Sequence, residues 1–319
     1  MKLLLENWRE YTILNERINS LDPDSGRRFI NGLLAEMSEN DNVISIPDKE
    51  MAGIRKWGGL KGEPSFLGAG SRGSAYKFED KVLKFTNDRD EAEGAALLTG
   101  KMHPNVYDVY GSGQRSRENM KNSTLTKQYT SYVVVYKFLN YPTNAMTDAA
   151  FKLYYHVRGK NKEMFYRWET SNSMKARELI SEFVRSIKED PMLLGATPDQ
   201  NPSASENTLP KIKRIADDLG WSNEQHKLFE IMWTLIGGAY AHYLDSSEAV
   251  EEYANKITSD PRFEHFHQLA LGLTFLKENG ITFDDLKASN IMEKNGQAAI
   301  IDVGYSIIEG NPELPEIEQ

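Results

Sequence analysis

Three oxygen-bearing side chains near the end of the sequence could act together in chemistry. Asp285 and Asn290 lie five residues apart in Asp-Leu-Lys-Ala-Ser-Asn, and Asp302 follows Asn290 by twelve residues. A carboxylate can accept a proton from a reacting hydroxyl, and carboxylate and amide oxygens bind hard divalent cations. A loop rich in Asp and Asn is also typical of a solvated turn, so this spacing alone leaves both interpretations open.

A second set of candidate residues lies in the first third of the chain. Gly68, Gly70 and Gly73 form a GxGxxG pattern, and Lys84 follows in Val-Leu-Lys-Phe. Glycine lets a backbone close over phosphates, because a Cβ would hold the amides away from the phosphate oxygens. A dinucleotide-binding fold would continue from the third glycine into a helix, whereas residues 75–78 alternate like a strand. The pattern therefore predicts a strand, a glycine turn and a second strand.

The elements that must position these residues fall into three predicted regions. Residues 1–60 carry apolar residues at helical intervals and predict an N-terminal helical extension of two helices, interrupted at Trp57-Gly58-Gly59. Residues 61–139 predict a five-stranded antiparallel sheet with one main helix. That helix covers 88–98, and the last two strands are placed at 106–110 and 132–139, with a long polar hairpin loop between them.

Helical patterns dominate the third region, residues 140–319. The predicted helices cover 147–157, 173–188, 209–219 and 222–244, with a flexible connection at 191–210. Asp260-Pro261 begins a further helix that Asn279-Gly280 ends. Its apolar face is formed by Phe263, Phe266, Leu269, Leu273 and Leu276. The segment 280–304 follows, and Asn295-Gly296 predicts the turn of a small hairpin within it.

Composition narrows the class of protein. With 319 residues, 39% of them hydrophobic and 27% charged, the chain is long enough to bury a core. A net charge of −9 and a pI near 5.3 argue against nonspecific binding to nucleic acid or anionic membranes. The absence of cysteine excludes disulfides and thiol catalysis. No stretch approaches 18 apolar residues, so we expect a cytoplasmic protein without a membrane segment.

Taken in order, these residues resemble the protein-kinase-like superfamily. Asp285 and Asn290 have the spacing of the kinase catalytic loop, and Asp302-Val303-Gly304 stands where kinases carry Asp-Phe-Gly. The resemblance implies a two-lobed α+β fold. Residues 61–139 would form the N-lobe with its five-stranded antiparallel sheet, and residues 140–319 an enlarged, mostly helical C-lobe that is truncated after the Asp-Val-Gly turn.

The resemblance also implies ATP and Mg²⁺ as cofactors. The three glycines and Lys84 would bind the nucleotide phosphates, and Asn290 and Asp302 would hold Mg²⁺. Asp285 would orient and deprotonate the acceptor hydroxyl. Lys287 matches a lysine that serine/threonine kinases place near the γ-phosphate, and it favours a hydroxyl of serine or threonine over tyrosine.

Other kinase roles follow from position in the sequence. Glu93 has the spacing of the glutamate that pairs with the nucleotide lysine, here Lys84, and Glu91 is the alternative partner. Tyr136 takes the gatekeeper position. The backbones of Lys137 and Leu139 would then meet the adenine edge.

Departures from the kinase pattern define the alternatives. Phe283 and Asp284 replace the His-Arg that precedes the catalytic aspartate, and no Ala-Pro-Glu follows Gly304. Control by a phosphorylated activation loop is therefore not expected. The motif 104–109 and Asn290-Ile291-Met292 are similar to serine/threonine kinases of tailed bacteriophages. That likeness implies a bacterial host protein as the acceptor, in the host cytoplasm.

Three other functions remain compatible with the sequence. A small-molecule kinase of the aminoglycoside or choline type shares the Asp-to-Asn spacing and a large helical segment. A pseudokinase would bind ATP without turnover, and a related enzyme would transfer AMP instead of phosphate. The sequence leaves the oligomeric state open.

Overall fold

The computed structural model describes residues 46, 48–70, 73–116, 131–157, 165–166, 170–190, 193, 212–237 and 246–317. The apolar residues 4–13 and 29–37, on which the two helices expected within residues 1–60 were based, lie outside these residues, as does the tip of the glycine turn. So do most of the 191–210 connection and residues 117–130 of the predicted hairpin loop.

The strands and helices are as follows. The strands are β1 (Ser65–Gly70), β2 (Gly73–Phe78), β3 (Lys81–Thr86), β4 (Val109–Arg115), β5 (Tyr132–Lys137), β6 (Ile281–Thr282), β7 (Ile291–Lys294), β8 (Gln297–Ile300), β9 (Ile307–Ile308) and β10 (Glu316–Ile317). The helices are α1 (Asp48–Gly58), α2 (Arg89–Leu98), α3 (Asn144–Val157), α4 (Thr170–Glu189), α5 (Asn223–Met232), α6 (Ser247–Ser259) and α7 (Pro261–Glu278). A helical segment also covers residues 212–218.

The chain forms two compact units. The first contains the residues up to Lys101, Asp108–Phe138 and the segment from Gly310 onward. The second contains Met102–Tyr107 and Leu139–Glu309. The sequence placed the tail after residue 309 with the helical region, and the structure instead assigns it to the unit that contains the sheet.

The sheet of the first unit has six strands in the order β1-β2-β3-β5-β4-β10, not the five expected from the sequence. The additional strand is β10, which pairs in parallel with the end of β4. Gln114 N donates to Pro315 O at 2.8 Å, and Ile317 is buried in the core of this unit. A strand of two residues in an acidic tail has no periodicity, so no sequence pattern predicts it.

The strand β4 also differs from its prediction, which placed it at 106–110. It begins at Val109 and ends at Arg115. Residues 106 and 107 belong to the second unit instead, where Tyr107 N donates to Ile300 O at 3.0 Å. The apolar run around Val106 therefore reflects burial against β8 rather than a place in the larger sheet.

Helices cover both faces of this sheet. On one face, Ile54 of α1 packs with the strand residues Tyr76, Leu83 and Phe85. Lys84 lies between Leu83 and Phe85 in β3, so its side chain points to the opposite face. There α2 lies close enough for Ser112 Oγ of β4 to donate to Ala92 O at 2.8 Å.

A buried ion pair fixes α1 to the end of β4. Arg115 Nε lies 2.5 Å from Glu50 Oε1, and Arg115 Nη2 donates to Glu50 Oε2 at 2.9 Å. Both side chains are almost completely buried. A bidentate arrangement satisfies both carboxylate oxygens, which is the condition under which a buried charge pair is tolerated.

The second unit is mainly helical. Ser222 and Gln225 form a reciprocal capping box at the start of α5, which continues into a π-helical turn at Trp233–Gly237. Asp260 caps α7 and Pro261 occupies its first turn, as the sequence predicts. Among the described residues, no helix combines the length and the apolarity needed to cross a membrane.

The helix α7 brings the chain to the candidate catalytic loop. Its predicted apolar face is buried, and Gly280 ends it with a φ of +79°. The hairpin of β7 and β8 follows, and Asn295 and Gly296 both have positive φ in its two-residue turn. The hairpin and its Asn-Gly turn are therefore confirmed.

Segment 102–107 is anchored to this hairpin by a buried lysine. Lys294 Nζ donates to His103 O at 2.7 Å and to Val106 O at 2.9 Å. The His103 ring stacks on Phe275 at a centroid distance of 4.6 Å. Burial, and then the Lys294 charge, lower the pKa of His103, so the ring is neutral near pH 7.

Candidate active site

Short-range hydrogen bonds shape the loop that contains Asp285 and Asn290. Lys287 N donates to Asp285 O at 2.8 Å, and Asn290 N donates to Lys287 O at 2.9 Å. The Asn290 side chain closes the loop by donating from Nδ2 to Asp285 O at 2.9 Å. All of these partners lie within five residues of one another, so the loop conformation is determined almost entirely by local sequence.

The Asp285 carboxylate receives two side-chain donors on the same oxygen. Lys287 Nζ lies 2.5 Å from Oδ2, and Asn290 Nδ2 lies 3.3 Å from it. The Asp285 side chain is 20% exposed and that of Lys287 is 46% exposed, so the carboxylate is accessible from solvent. The structure thus brings together the predicted catalytic residues Asp285 and Lys287.

A distant tyrosine supports the entry to this loop. Tyr166 Oη donates to Phe283 O at 3.1 Å in a buried environment, and the Phe283 side chain is fully buried. Tyr166 belongs to none of the sequence motifs described above. The two residues are 117 positions apart, and no local pattern around Tyr166 indicates this contact.

The β7-β8 hairpin brings Asp302 next to Asn290. Ile291 pairs with Ile300 across the hairpin, and Ile301 N donates to Asn290 O at 2.8 Å. Asn290 and Asp302 therefore lie at the same end of the hairpin. Asp302 has a φ of +56°, and its Oδ1 accepts a hydrogen bond from Gly304 N at 3.3 Å.

This donor set fits a magnesium ion. It offers a carboxylate from Asp302 and the amide oxygen of Asn290, and Mg²⁺ prefers few protein oxygens together with phosphate and water. The Asn290 Nδ2 group is committed to Asp285, which leaves its Oδ1 as the atom for the ion. That oxygen accepts one long bond, from Ser289 Oγ at 3.3 Å.

A few residues after Gly304, the chain pairs with strand β6 of the same unit. Ile307 and Ile308 form β9 and pair with Thr282 and Ile281 of β6. Lys277 Nζ then holds Glu309 Oε1 at 2.6 Å. Only Tyr305 and Ser306 separate Gly304 from the paired strand.

In the first unit, the glycine pattern forms an antiparallel pair of strands. Gly70 pairs with Gly73, and Gly68 lies in β1 beside an irregularity in the register. A Cβ on Gly73 would collide with the main-chain carbonyl of Phe85, whereas a Cβ on Gly68 would have no protein atom within 4 Å. Gly73 is therefore required by packing, while no contact in the described residues explains Gly68.

The partner of Lys84 is Glu91. Lys84 Nζ lies 2.6 Å from Glu91 Oε1, with the two side chains 17% and 4% exposed. The choice of Glu93 as this partner was wrong, because Glu93 Oε1 binds Arg89 Nε at 2.6 Å across one turn of α2. Glu91, named as the alternative, takes the role.

Helical periodicity explains why Glu91 and not Glu93 faces the strand. Glu91, Ala95 and Leu98 recur at i, i+4 and i+7 on the helix, and Glu93 is buried as they are. Glu93 lies two positions away from Glu91, which rotates it by about 200° around the helix axis. The angular position on α2 is therefore a better guide to the partner than the distance from His103-Pro104-Asn105.

The two residues expected to meet adenine, Lys137 and Leu139, belong to different units. Lys137 closes β5 in the first unit, and Leu139 opens the second part of the other unit. Lys137 N donates to Asp108 O at 2.9 Å, so this amide already has a hydrogen-bond partner. Tyr136, the expected gatekeeper, pairs with Val82 and Val109.

Comparison with known proteins adds little information about the fold or the function of this chain. No protein-family model and no curated protein matches the sequence. Among solved structures, the streptomycin–ATP–APH(2″)-IIa ternary complex matches at 12% identity and a TM-score of 0.27, covering 83% of this chain and 73% of that one. The GDP and kanamycin complex of APH(2″)-IIia matches at 11% identity and a TM-score of 0.25, covering 73% and 98%. TM-scores this low do not establish a shared fold.

Proposed function

We propose that this chain is an ATP-dependent phosphotransferase with a protein-kinase-like arrangement of catalytic groups. One observation carries the proposal. One loop and the adjoining end of one hairpin carry the carboxylate of Asp285, the amide of Asn290 and the carboxylate of Asp302. Lys287 contacts the Asp285 carboxylate. A solvated turn would not require this set of contacts.

The nucleotide would be bound by groups of the first unit. Lys84, held in place by Glu91, would bind the α- and β-phosphate oxygens. Gly68 and Gly70 of β1 would let the backbone amides approach the phosphates, and Gly73 lets β2 lie close to Phe85 of β3. The carbonyl of Lys137 would meet adenine.

Asn290 and Asp302 would hold Mg²⁺. When bound, the ion supplies positive charge that neutralises the transferring phosphoryl group. Asp302 itself has a positive φ, and the hydrogen bond from Gly304 N fixes the orientation of its carboxylate. Such prior fixing lowers the reorganisation needed during the reaction.

Asp285 would accept the hydrogen bond of the acceptor hydroxyl and receive its proton as the oxygen attacks the γ-phosphorus, while the bond from that phosphorus to the β,γ-bridging oxygen breaks and ADP leaves. Lys287 and Asn290 hold the carboxylate through Oδ2, and this fixes its direction. Once the Asp285 carboxylate has been neutralised by this proton, Lys287 would move to the γ-phosphate oxygens.

The acceptor belongs to one of two classes. A serine or threonine of a protein is supported by the contact of Lys287 with Asp285, because this lysine position is the one shared with serine/threonine kinases. A small-molecule hydroxyl is supported by the short return after Gly304, since β9 leaves no long segment there on which a peptide platform could form.

Labelled nucleotides test the proposed function. The wild-type protein and Asp285→Asn are incubated with Mg²⁺ and either γ-labelled or α-labelled ATP, with water, kanamycin or a bacterial lysate as acceptor. We expect γ label on phosphate or acceptor that depends on Asp285. Transfer of α label would instead indicate nucleotidylation, and ATP binding without any transfer would indicate a pseudokinase.

A further inference from the structure

A cavity of about 310 Å³ lies in the first unit of the structure. Its walls are the end of α1 with Trp57, the helix α2 with Ala96, the strand β4 with Tyr110, and the tail before β10 with Glu313. None of its described lining residues has a role in the proposed phosphotransfer. The volume lies within the range of small-molecule sites, and we refer to this space as the α2 cavity.

Two aromatic side chains line the α2 cavity. A Cβ on Gly111, which also lines it, would lie 3.0 Å from Trp57 Cζ2 and 3.1 Å from Trp57 Cη2. Glycine at this position therefore lets the indole ring lie directly on the backbone of β4. The second ring is that of Tyr110, which is 45% exposed. The faces of indole and phenol rings attract cations, because the ring quadrupole is negative there.

Carboxylates dominate the charge around these rings. Glu313 is the one charged side chain among the described residues that line the α2 cavity, and it is exposed. Burial raises the pKa of Tyr110, and the charges of Asp80 and Asp108 raise it further. Because these carboxylates make the potential at the phenol negative, the surroundings of the ring disfavour an anion and favour a cation.

One positive charge, that of Lys81, also lies beside Tyr110. Its Nζ is 4.7 Å from the centre of the Tyr110 ring, so this ring already accepts a cation. The same ammonium donates to two backbone carbonyls at and just after the end of α1, at 2.9 and 3.1 Å, and these hold it in place. The carboxylates of Glu313, Asp80 and Asp108 outnumber this ammonium, so the summed charge of these groups is negative.

We infer that the α2 cavity binds a small organic cation, in which an ammonium group carries an apolar substituent. The rings of Trp57 and Tyr110 would contact the ammonium group and the substituent, and Glu313 would supply the opposite charge from the exposed side. An anion would be repelled by the carboxylates, and a neutral apolar molecule would gain burial without the charge attraction. This second ligand site goes beyond the proposed phosphotransferase function and does not depend on it.

Two compounds of similar size test this inference. Benzyltrimethylammonium is the cationic probe, and N,N-dimethylbenzamide is the neutral comparison. Neither compound has a hydroxyl, so neither can act as a phosphoryl acceptor. Each is titrated calorimetrically into the full-length protein in the presence of Mg-ATP, which keeps the nucleotide site filled. We expect the cation to bind about tenfold more tightly than the amide.

Variants of two lining residues locate the bound cation. Ala96→Leu should fill part of the cavity and abolish binding, whereas Ala52→Leu, at an exposed alanine of α1 outside the cavity lining, should not. Glu313→Gln should weaken binding of the cation about threefold, because the carboxylate is exposed. Glu316→Gln makes the same change of charge in the same tail and is the matched control, with unchanged affinity.

Substitutions of Tyr110 test the contribution of its ring. Tyr110→Leu should lose most of the preference for the cation over the amide, and Tyr110→Phe should retain it. Equal affinity of the wild type for the two compounds would overturn the choice of a cation. Binding that persists in Ala96→Leu, or no binding of the cation up to about 10 mM, would overturn the site itself. The transfer of label from ATP is measured separately, so none of these results decides the phosphotransferase function.

Discussion

The candidate residues fall into two halves, one in each unit, and the two halves are positioned in different ways. Around Asp285 the positioning contacts join residues two to five positions apart, as in the bonds among Asp285, Lys287 and Asn290. Around Lys84 they join residues of separate elements. Strand register places Lys84 between Ala75 and Val134, and the helix α2 supplies Glu91.

This difference determines what a short motif can reveal. A locally bonded loop carries its geometry in its spacing, so the spacing of Asp285 and Asn290 predicted the loop directly. A site assembled from a sheet and a helix depends on which face each element presents. The motif around Lys84 predicted the strand but could not by itself select between two glutamates on one helix.

We call the half around Asp285 the local half, because its bonds join residues close in the sequence. Its strongest test is the substitution Asp285→Asn. We expect phosphoryl transfer to fall about a thousandfold, because an amide cannot accept the hydroxyl proton. Nucleotide affinity should change little, since the phosphates would be bound by the first unit. Transfer is measured from γ-labelled ATP, and affinity by titration with Mg-ATP.

Asp217→Asn is the matched control for this substitution. Asp217 lies on a helical segment of the same unit, and its contact with Lys213 is well exposed. The control should retain its activity to within about twofold. Equal losses in the two variants, or full activity in Asp285→Asn, would show that the loop geometry does not serve catalysis.

The half around Lys84 is assembled from separate elements, and the corresponding test of this assembled half compares two glutamates of α2. Glu91→Gln removes the charge that holds Lys84, and we expect kcat/KM for ATP to fall roughly a hundredfold. Glu93→Gln removes only the partner of Arg89, whose side chain is 61% exposed, and should change it by less than about twofold. The reverse order of the two effects would restore the original choice of Glu93.

Much of the secondary structure could be predicted from the sequence, because it rests on local signals. The face of α7, the Asn-Gly turn and the strand around Lys84 follow from periodicity and turn chemistry. The strand β10 could not be predicted, since its two residues gain their position from Gly113. A Cβ at Gly113 would lie 2.9 Å from Pro315 O, and only the tertiary structure shows this.

Two glycines of the same motif sharpen the contrast further. Gly73→Ala should destabilise the protein by about 2 to 3 kcal/mol, because the new Cβ meets the rigid carbonyl of Phe85. Gly68→Ala should change the free energy of unfolding by less than about 1 kcal/mol, yet weaken binding of Mg-ATP. Urea unfolding and nucleotide titration of both variants measure the two effects. Unchanged nucleotide affinity in Gly68→Ala would remove Gly68 from the site.

The smallest predicted effect concerns the contact of Tyr166 with the carbonyl of Phe283, at the entry to the loop. Tyr166→Phe leaves the buried Phe283 carbonyl without this donor and should lower the free energy of unfolding by about 1 to 2 kcal/mol. Tyr141→Phe, at a tyrosine that is 76% exposed, should change it by less than about 0.5 kcal/mol. Because Phe283 lies two residues before Asp285, we also expect a loss of transfer rate in Tyr166→Phe. A lower stability with an unchanged rate would mean that local bonds alone hold the catalytic loop, and that the contrast between the two halves is complete.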